Sequence, residues 1–300
     1  MTNAIETRGL TKDYGMHRGL FDLDLDIPEG EVFGYLGPNG AGKTTTIKLV
    51  MGFIRATRGE ARVLGLDCWR DSVKVKRLVG YLPGELPQFG GLRGADVVAM
   101  LEGMRGQVDR ARVADLAKRF DLDLGRRYRQ YSRGNKQKLG IILAFAHRPR
   151  LLILDEPTSG LDPLNQQTFY ELIDEVRGEG STVFLSSHIL SEVQRICRRV
   201  GIIRDGRLVE IDALADLHHL RYRHVEVEYQ GPVPEEAVHA VPGVEDVRVE
   251  GNRLTASVHG SFDAFLKAAS EGTITNLLSE EPSLEDVFLA RYRGQPVEVS

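Results

Sequence analysis

Gly37-Pro38-Asn39-Gly40-Ala41-Gly42-Lys43-Thr44-Thr45 is the stretch that decides how this chain is read. An apolar strand pattern, Val32 to Leu36, runs into it, and a helical pattern carried by Ile47, Leu49 and Val50 runs out. A G-x-x-x-x-G-K-T series between a strand and a helix is a phosphate-binding loop in the setting its chemistry requires. The glycines let the backbone curl until consecutive N–H groups point inward at a polyphosphate, and the following helix turns the positive end of its dipole toward the same anion. On that reading Lys43 reaches the β- and γ-phosphates, Thr44 offers its hydroxyl to Mg²⁺, and Thr45 adds a hydrogen bond to phosphate at the helix start. An ordinary glycine-rich turn has no need of all the fixed positions together.

Outward from the loop, composition narrows the class. With 300 residues, 42% of them hydrophobic, the chain can bury a substantial core and form two domains. Its 39 basic and 43 acidic side chains leave a net charge of −4, which gives no global attraction to nucleic acid or anionic lipid. Cys68 and Cys197 are too few and too far apart for a disulfide framework or a metal knuckle, so a reducing compartment is expected. The apolar run Leu139 to Ala146, interrupted by Gly140, falls far short of the ~20 residues that span a bilayer. Met1 to Glu6 carries neither a basic region nor an apolar stretch, and a cytosolic polypeptide without a signal peptide is expected.

Upstream of the loop, Ile5 to Asp13 reads as a short strand and turn, and Phe21 to Ile27 alternates apolar and acidic residues as a half-buried antiparallel strand does. Tyr14, in the turn between them, is placed either to stack on a purine face or to plug the small sheet. Downstream, Arg58 to Gly65 has turn and strand character, and Val79 to Leu82 is a strand stopped by Pro83. Apolar positions from Gly94 to Phe120 predict two helices broken near Gly106, with Met100 and Met104 at core spacing. Tyr131 to Gln137 reads as a loop, capped by Ser132, that opens a helix from Lys138 to His147. Leu151 to Leu154 is wholly apolar, as a strand buried on both faces would be, and it delivers Asp155 and Glu156 at its carboxyl end. A helix from Pro163 to Val176, a buried strand from Thr182 to Leu185 ending in Ser186-Ser187-His188, and a hairpin around Asp205-Gly206 follow. After about Leu220 short alternating strands (His224 to Tyr229, Val244 to Val249, Leu254 to Val258) mix with helical stretches (Glu235 to Ala240, Phe262 to Ala269, Leu284 to Arg291). That predicts a separate α+β domain, with Ser279-Glu280-Glu281 as a solvated loop.

The chemistry follows from strand ends. Asp155 is the expected Mg²⁺ partner, direct or through water. Glu156 is placed to orient or deprotonate the attacking water. His188, at the end of the next strand, is placed to hydrogen-bond the γ-phosphate or hold Glu156, provided the strand order brings it there.

In this ordered set the chain resembles the ABC-type ATPase family over about residues 1–217. Tyr14 matches the family's adenine-stacking aromatic, Leu151 to Glu156 its Walker B strand, Ser159-Gly160-Leu161-Asp162 its D-loop and His188 its switch histidine. Tyr131-Ser132-Arg133-Gly134-Asn135 stands where the family has LSGGQ, keeping the Ser and the second Gly. The resemblance implies an α/β P-loop NTPase fold in residues 1–220: a RecA-like parallel sheet core, an antiparallel β subdomain and a helical subdomain at about 86–148. A small α+β accessory domain, either regulatory or dimer-stabilising or else a plain stabilising lid, would occupy 221–300. It further implies a head-to-tail homodimer, or pairing with a paralogue, with two ATPs sandwiched. Ser132, Arg133, Gly134 and Asn135 would then act in trans on the partner's ATP. The variant signature spelling and the terminal Pro282 to Leu289 resemble ATP-binding subunits of two-component bacterial drug and antibiotic exporters. Such a subunit would sit in the cytoplasm on the inner membrane face, through a separate permease and without inserting itself. Where the family carries a glutamine that touches Mg²⁺ or water, this chain has Gly84, so the role is lost, filled by water, or taken by Glu85, with Gln88 farther along. A soluble ABC ATPase acting on a ribosome or DNA is the main rival, disfavoured by the single cassette, the absence of sustained heptads and the negative charge. An importer ATPase and a non-catalytic nucleotide-dependent regulator are weaker alternatives.

Overall fold

A computed structural model describes residues 2–106, 108–213 and 222–280, which divide into two compact units, 1–213 and 214–300. In chain order the first unit runs β1 (Asn3–Asp13), β2 (Gly19–Pro28), β3 (Val32–Leu36), α1 (Lys43–Val50), β4 (Arg58–Val63), β5 (Leu66–Asp67), α2 (Ser72–Leu78), β6 (Val79–Leu82), α3 (Gly94–Arg105) and α4 (Arg110–Arg119). After a 3₁₀ turn at Tyr128–Gln130 come α5 (Arg133–Phe145), β7 (Leu151–Asp155), α6 (Pro163–Gly178), β8 (Thr182–Ser187), α7 (Leu190–Ile196), β9 (Arg199–Arg204) and β10 (Arg207–Ala213).

Two sheets organise it. The six-stranded sheet has the order β10-β9-β3-β8-β7-β6, parallel from β9 to β6 with β10 antiparallel at its edge. Its central strands β3, β7 and β8 are buried at every position, the signature of a parallel sheet covered on both faces. Burying side chains such as Phe33, Ile153 and Phe184 contributes about 1.5–3 kcal/mol each, which penalises any slip of register. The register matters for the site: Leu36 lies beside Ser187 and Asp155 beside Ser186. The segments that follow β3, β7 and β8 therefore leave the sheet at one level, at the carboxyl edge where α/β sheets place ligands. The second sheet, β2-β1-β4-β5, is antiparallel, and the apolar positions of β2 are buried in alternation with exposed aspartates.

Several sequence expectations are corrected. The helix expected from Lys138 starts at Arg133, because the Ser132 side chain accepts the Asn135 amide at 3.1 Å and caps it there. Residues 133–137 are thus helical, not loop. Met100 and Met104 continue the apolar spacing of α3 yet are 38% and 69% exposed, since α3 buries Val97 and Val98 near its start and leaves its far end uncovered. Tyr14 plugs nothing: it is 56% exposed at the tip of the β1–β2 hairpin. Helices α2 and α7 carried no clear periodic signal over their short lengths, seven residues each.

The second unit runs β11 (Tyr222–Tyr229), α8 (Glu235–His239), β12 (Val244–Glu250), β13 (Arg253–His259), α9 (Phe262–Ala269) and β14 (Ile274–Glu280). Its antiparallel sheet has the order β12-β13-β11-β14. That is the ferredoxin-like split β-α-β arrangement, with Val225, Val227, Tyr229, Leu254, Ala256 and Val258 packed on Val238, Phe265 and Ala269. Ser279 and Glu280, expected in a solvated loop, pair with Val225 and His224 as the end of β14. This edge strand is exposed at every position but Ile274, so it has no alternation to betray it. Glu281, the Pro282 to Leu289 motif and the helix expected from Leu284 lie outside the described residues.

Candidate functional site

The loop that begins at Gly37 joins β3 to α1, whose N-cap is Gly42 at φ 112°, with Gly40 at φ 83°. These left-handed angles let the loop curl under its own amides. No acidic side chain occupies the first turn of α1, so the positive end of the helix dipole is left for an anion. The buried Lys43 Nζ donates to the Gly37 and Pro38 carbonyls at 2.6 and 3.1 Å and stands 3.6 Å from Glu156 Oε1. Burial pushes its ammonium below the ordinary lysine range, while Glu156 and Asp155 work against that shift.

Thr44 Oγ1 donates to Asp155 Oδ2 at 2.9 Å, and Ser186 Oγ donates to Asp155 Oδ1 at 2.5 Å. The donor set fits Mg²⁺: a hydroxyl and a buried carboxylate, both hard oxygens, converge on one point. A protein that binds Mg²⁺ with one or two groups takes the remaining ligands from water and nucleotide phosphates. Among the described residues no cluster of three acidic, His or Cys side chains offers an all-protein metal cage.

Glu156 follows directly and is held at φ +49°, a left-handed conformation that costs a non-glycine residue on the order of 1–3 kcal/mol. Its amide donates to the Ser186 carbonyl at 3.1 Å and its carbonyl accepts from Ser159 N at 3.1 Å and Gln137 Nε2 at 3.2 Å. The carboxylate meets His188 Nδ1 at 3.2 Å. The strand order that sequence could not supply puts β8 between β3 and β7, which brings Lys43, Glu156 and His188 together.

The signature residues lie on another surface of the same unit. Among the described residues none of Ser132, Arg133, Gly134 and Asn135 bonds to the phosphate loop; Arg133 and Gly134 meet Ser159 and Gly160 instead, while Asn135 N donates to Ser132 Oγ in the helix cap. Arg133 Nη2 donates to Ser159 Oγ at 2.9 Å, and a Cβ on Gly134 would come 2.7 Å from the Gly160 carbonyl oxygen, so only glycine permits that approach. Leu161 is buried. Asp162 caps α6, and hydrogen bonds from Asn165 hold its carboxyl below the usual range. Tyr14 rides on a hairpin whose base, at Gly19, lies against Gly42, with Lys12 Nζ 5.5 Å from the ring centre. Gly84 packs on the Asp155 carboxylate: a Cβ there would come within 3.3 Å of Asp155 Oδ2. Glu85 is exposed and, with Gln88, Tyr128, Arg133, Lys136 and Gln137, lines a groove of about 510 Å³.

Sequence reasoning missed three polar side chains that brace this centre. Gln137 and Ser186 are described above. Glu192, buried on α7, accepts from Thr158 Oγ1 and, at 2.7 Å, from Ser187 Oγ, tying the residues that flank Glu156 and His188. The register of Asp155 opposite Ser186 was the signal for Ser186, and it needed the sheet order to be read.

Comparison with known proteins follows the same lines. The family model described as ABC transporter matches residues 20–159. The chain is 36% identical over 222 residues to the bacitracin transport ATP-binding protein BcrA of Bacillus licheniformis, covering 70% of each. It is 31% identical over 295 residues to the protein of the same name from Enterococcus faecalis, covering 96% of each. A solved ATP binding subunit of an ABC transporter superposes with a TM-score of 0.67 at 29% identity, over 73% of this chain and 92% of that one.

Proposed function

The chain belongs to the ABC transporter ATP-binding family, and from that premise we propose that it is the ATPase subunit that powers export of a drug- or antibiotic-like small molecule through a separately encoded permease. The observation that carries the catalytic part is the convergence of Lys43, Thr44, Asp155, Glu156 and His188 at the carboxyl ends of β3, β7 and β8. An arriving γ-phosphate would take over the Lys43 ammonium from Glu156. The freed carboxylate then orients and deprotonates water, steadied by His188. Thr44 and Asp155 would hold Mg²⁺, which neutralises charge on the transferring phosphoryl group.

The assembled form is a head-to-tail homodimer in which Ser132 and the Gly134 amide, at the start of α5, grip the partner's γ-phosphate. The first turn of α5, capped by Ser132 and free of acidic side chains, supports this reading. Residues 221–300 act as an accessory domain, regulatory or dimer-stabilising. Export is supported by the bacitracin transport relatives. No helix among the described residues is long and apolar enough to cross a membrane. The test is reconstitution of this chain in inverted vesicles with a candidate six-span permease taken from a neighbouring reading frame. ATP-dependent accumulation of bacitracin or a drug, requiring both proteins, is the expected result. Copurification with ribosomes or DNA and no response to any neighbouring permease would favour the soluble rival.

Glu85 takes up part of the role of the glutamine replaced by Gly84. A carboxylate is a harder ligand than an amide, directly or through water. Glu85→Ala is expected to raise the Mg²⁺ concentration needed for half-maximal turnover roughly tenfold, the scale for losing an outer metal partner, whereas Gln88→Ala leaves it in place. Superimposable Mg²⁺ titrations for both variants and the parent would leave residues 84 and 85 outside the metal chemistry.

A further inference from the structure

Gln137 sits one turn into the helix that begins with the signature residues, and it is only 6% exposed. Its Nε2 donates to two successive carbonyls, Pro157 O at 2.9 Å and Glu156 O at 3.2 Å. Those carbonyls belong to the turn in which Glu156 is held at φ +49°. On the same helix, Arg133 grips Ser159 at 2.9 Å. The helix that faces the partner's nucleotide is therefore bonded to the backbone that aims this chain's own Glu156.

From this geometry we infer that Gln137 is a positioning residue that links the signature helix of each protomer to the Glu156 carboxylate of the same protomer. Engagement of the signature residues by the partner's ATP shifts or stiffens α5, and the two hydrogen bonds pass that change to the Glu156 turn. Each composite site thus reports its occupancy to the other. The inference rests on the trans arrangement proposed above. A buried amide that merely satisfied two carbonyls would stabilise the fold without distinguishing between the two sites of a dimer, and that difference is measurable.

The experiment uses mixed dimers of the full chain. One subunit carries Lys43→Ala and keeps its signature; the other carries Ser132→Arg and keeps its phosphate loop and Glu156. Their heterodimer holds one intact composite site, made from the second subunit's catalytic residues and the first subunit's signature. Gln137→Met is then added to one subunit at a time. On the subunit that supplies Glu156 it is expected to lower turnover roughly 10- to 100-fold, the scale for misplacing a catalytic group by a fraction of an ångström to one ångström. MgATP affinity should stay within about twofold, since an interaction made in the transition state is lost and not one made in binding. On the subunit that supplies only the signature, the loss should be several-fold smaller. Gln137→Lys, which keeps N–H donors, should recover part of the turnover, and Gln137→Glu, which turns the donor into an acceptor, replaces the methionine variant if that fails to fold. Equal losses in both placements, or no loss in either, would overturn the assignment. An inactive mixture before Gln137 is touched would mean either that the sites are not built in trans or that both signatures must be engaged before either Glu156 works. The assignment would then stand or fall on Gln137→Met homodimers, where turnover must drop at unchanged MgATP affinity.

Discussion

Glu156→Gln should leave MgATP bound and cut turnover by about 10²-fold or more, the order expected when a general base is lost. The substitution preserves shape, and an amide oxygen can still accept from His188, whose Nδ1 lies 3.2 Å from the native carboxylate. What it removes is the ability to take a proton from water and the negative charge 3.6 Å from Lys43. Loss of that charge also removes a competitor for the Lys43 ammonium, so affinity for ATP should hold or rise while the chemical step stalls. The bound dimer should therefore accumulate, visible as a larger species in gel filtration with MgATP and absent without it. Turnover equal to the parent's in purified protein would rule out Glu156 as the base and move attention to another group near the γ-phosphate.

The centre of this site was legible in sequence because its parts lie in short contiguous runs whose context is local. The phosphate loop needs a strand before it and a helix after it, and β3 and α1 supply both. Asp155 and Glu156 were marked by a strand buried on both faces. His188 was placed only conditionally, because its value depends on β8 lying between β3 and β7, a long-range pairing that no local pattern encodes. The same limit hid Ser186 and Glu192, whose partners are 31 and 34 residues away for Asp155 and Thr158 respectively. Gln137 looked like one more polar residue in a polar turn; its meaning is that it faces two backbone carbonyls on a different element. Periodicity misled in two directions. Met100 and Met104 keep helical spacing where α3 has run past the core, and β14 pairs along its edge without burying an alternate face. Pattern reports which face an element would bury, whereas burial depends on what stands opposite.

Lys43→Ala should weaken MgATP binding roughly 10²- to 10³-fold, which follows when a buried charge-assisted contact of about 3–4 kcal/mol is removed at 1.4 kcal/mol per decade. Lys43 is buried with its ammonium bonded to two loop carbonyls and close to Glu156. Burial is the largest influence on its proton and lowers its pKa; the nearby Glu156 and Asp155 raise it in part. A charge kept this dry at a net cost is poised to gain from a stronger anion, and in the proposed function the β- and γ-phosphates are that anion. Thermal unfolding reads the effect directly. Nucleotide at 100 times its dissociation constant adds about 2.7 kcal/mol to the parent, and nearly all of that shift should vanish in the variant. Without nucleotide a second signature is expected, and its sign can be worked out. Because the folded pKa lies below the unfolded value of 10.5, the unfolded chain binds more protons between those two values, so the parent gains stability as pH rises through that window. Below the folded pKa the slope disappears. The alanine variant should lack this contribution, and the difference between the two pH curves isolates Lys43 from the other groups that titrate there. Saturating MgATP should erase the difference's cause in the parent by raising the Lys43 pKa again. An alanine variant that bound MgATP as tightly as the parent, while keeping its fold, would show that the loop between β3 and α1 does not hold the phosphates through this side chain.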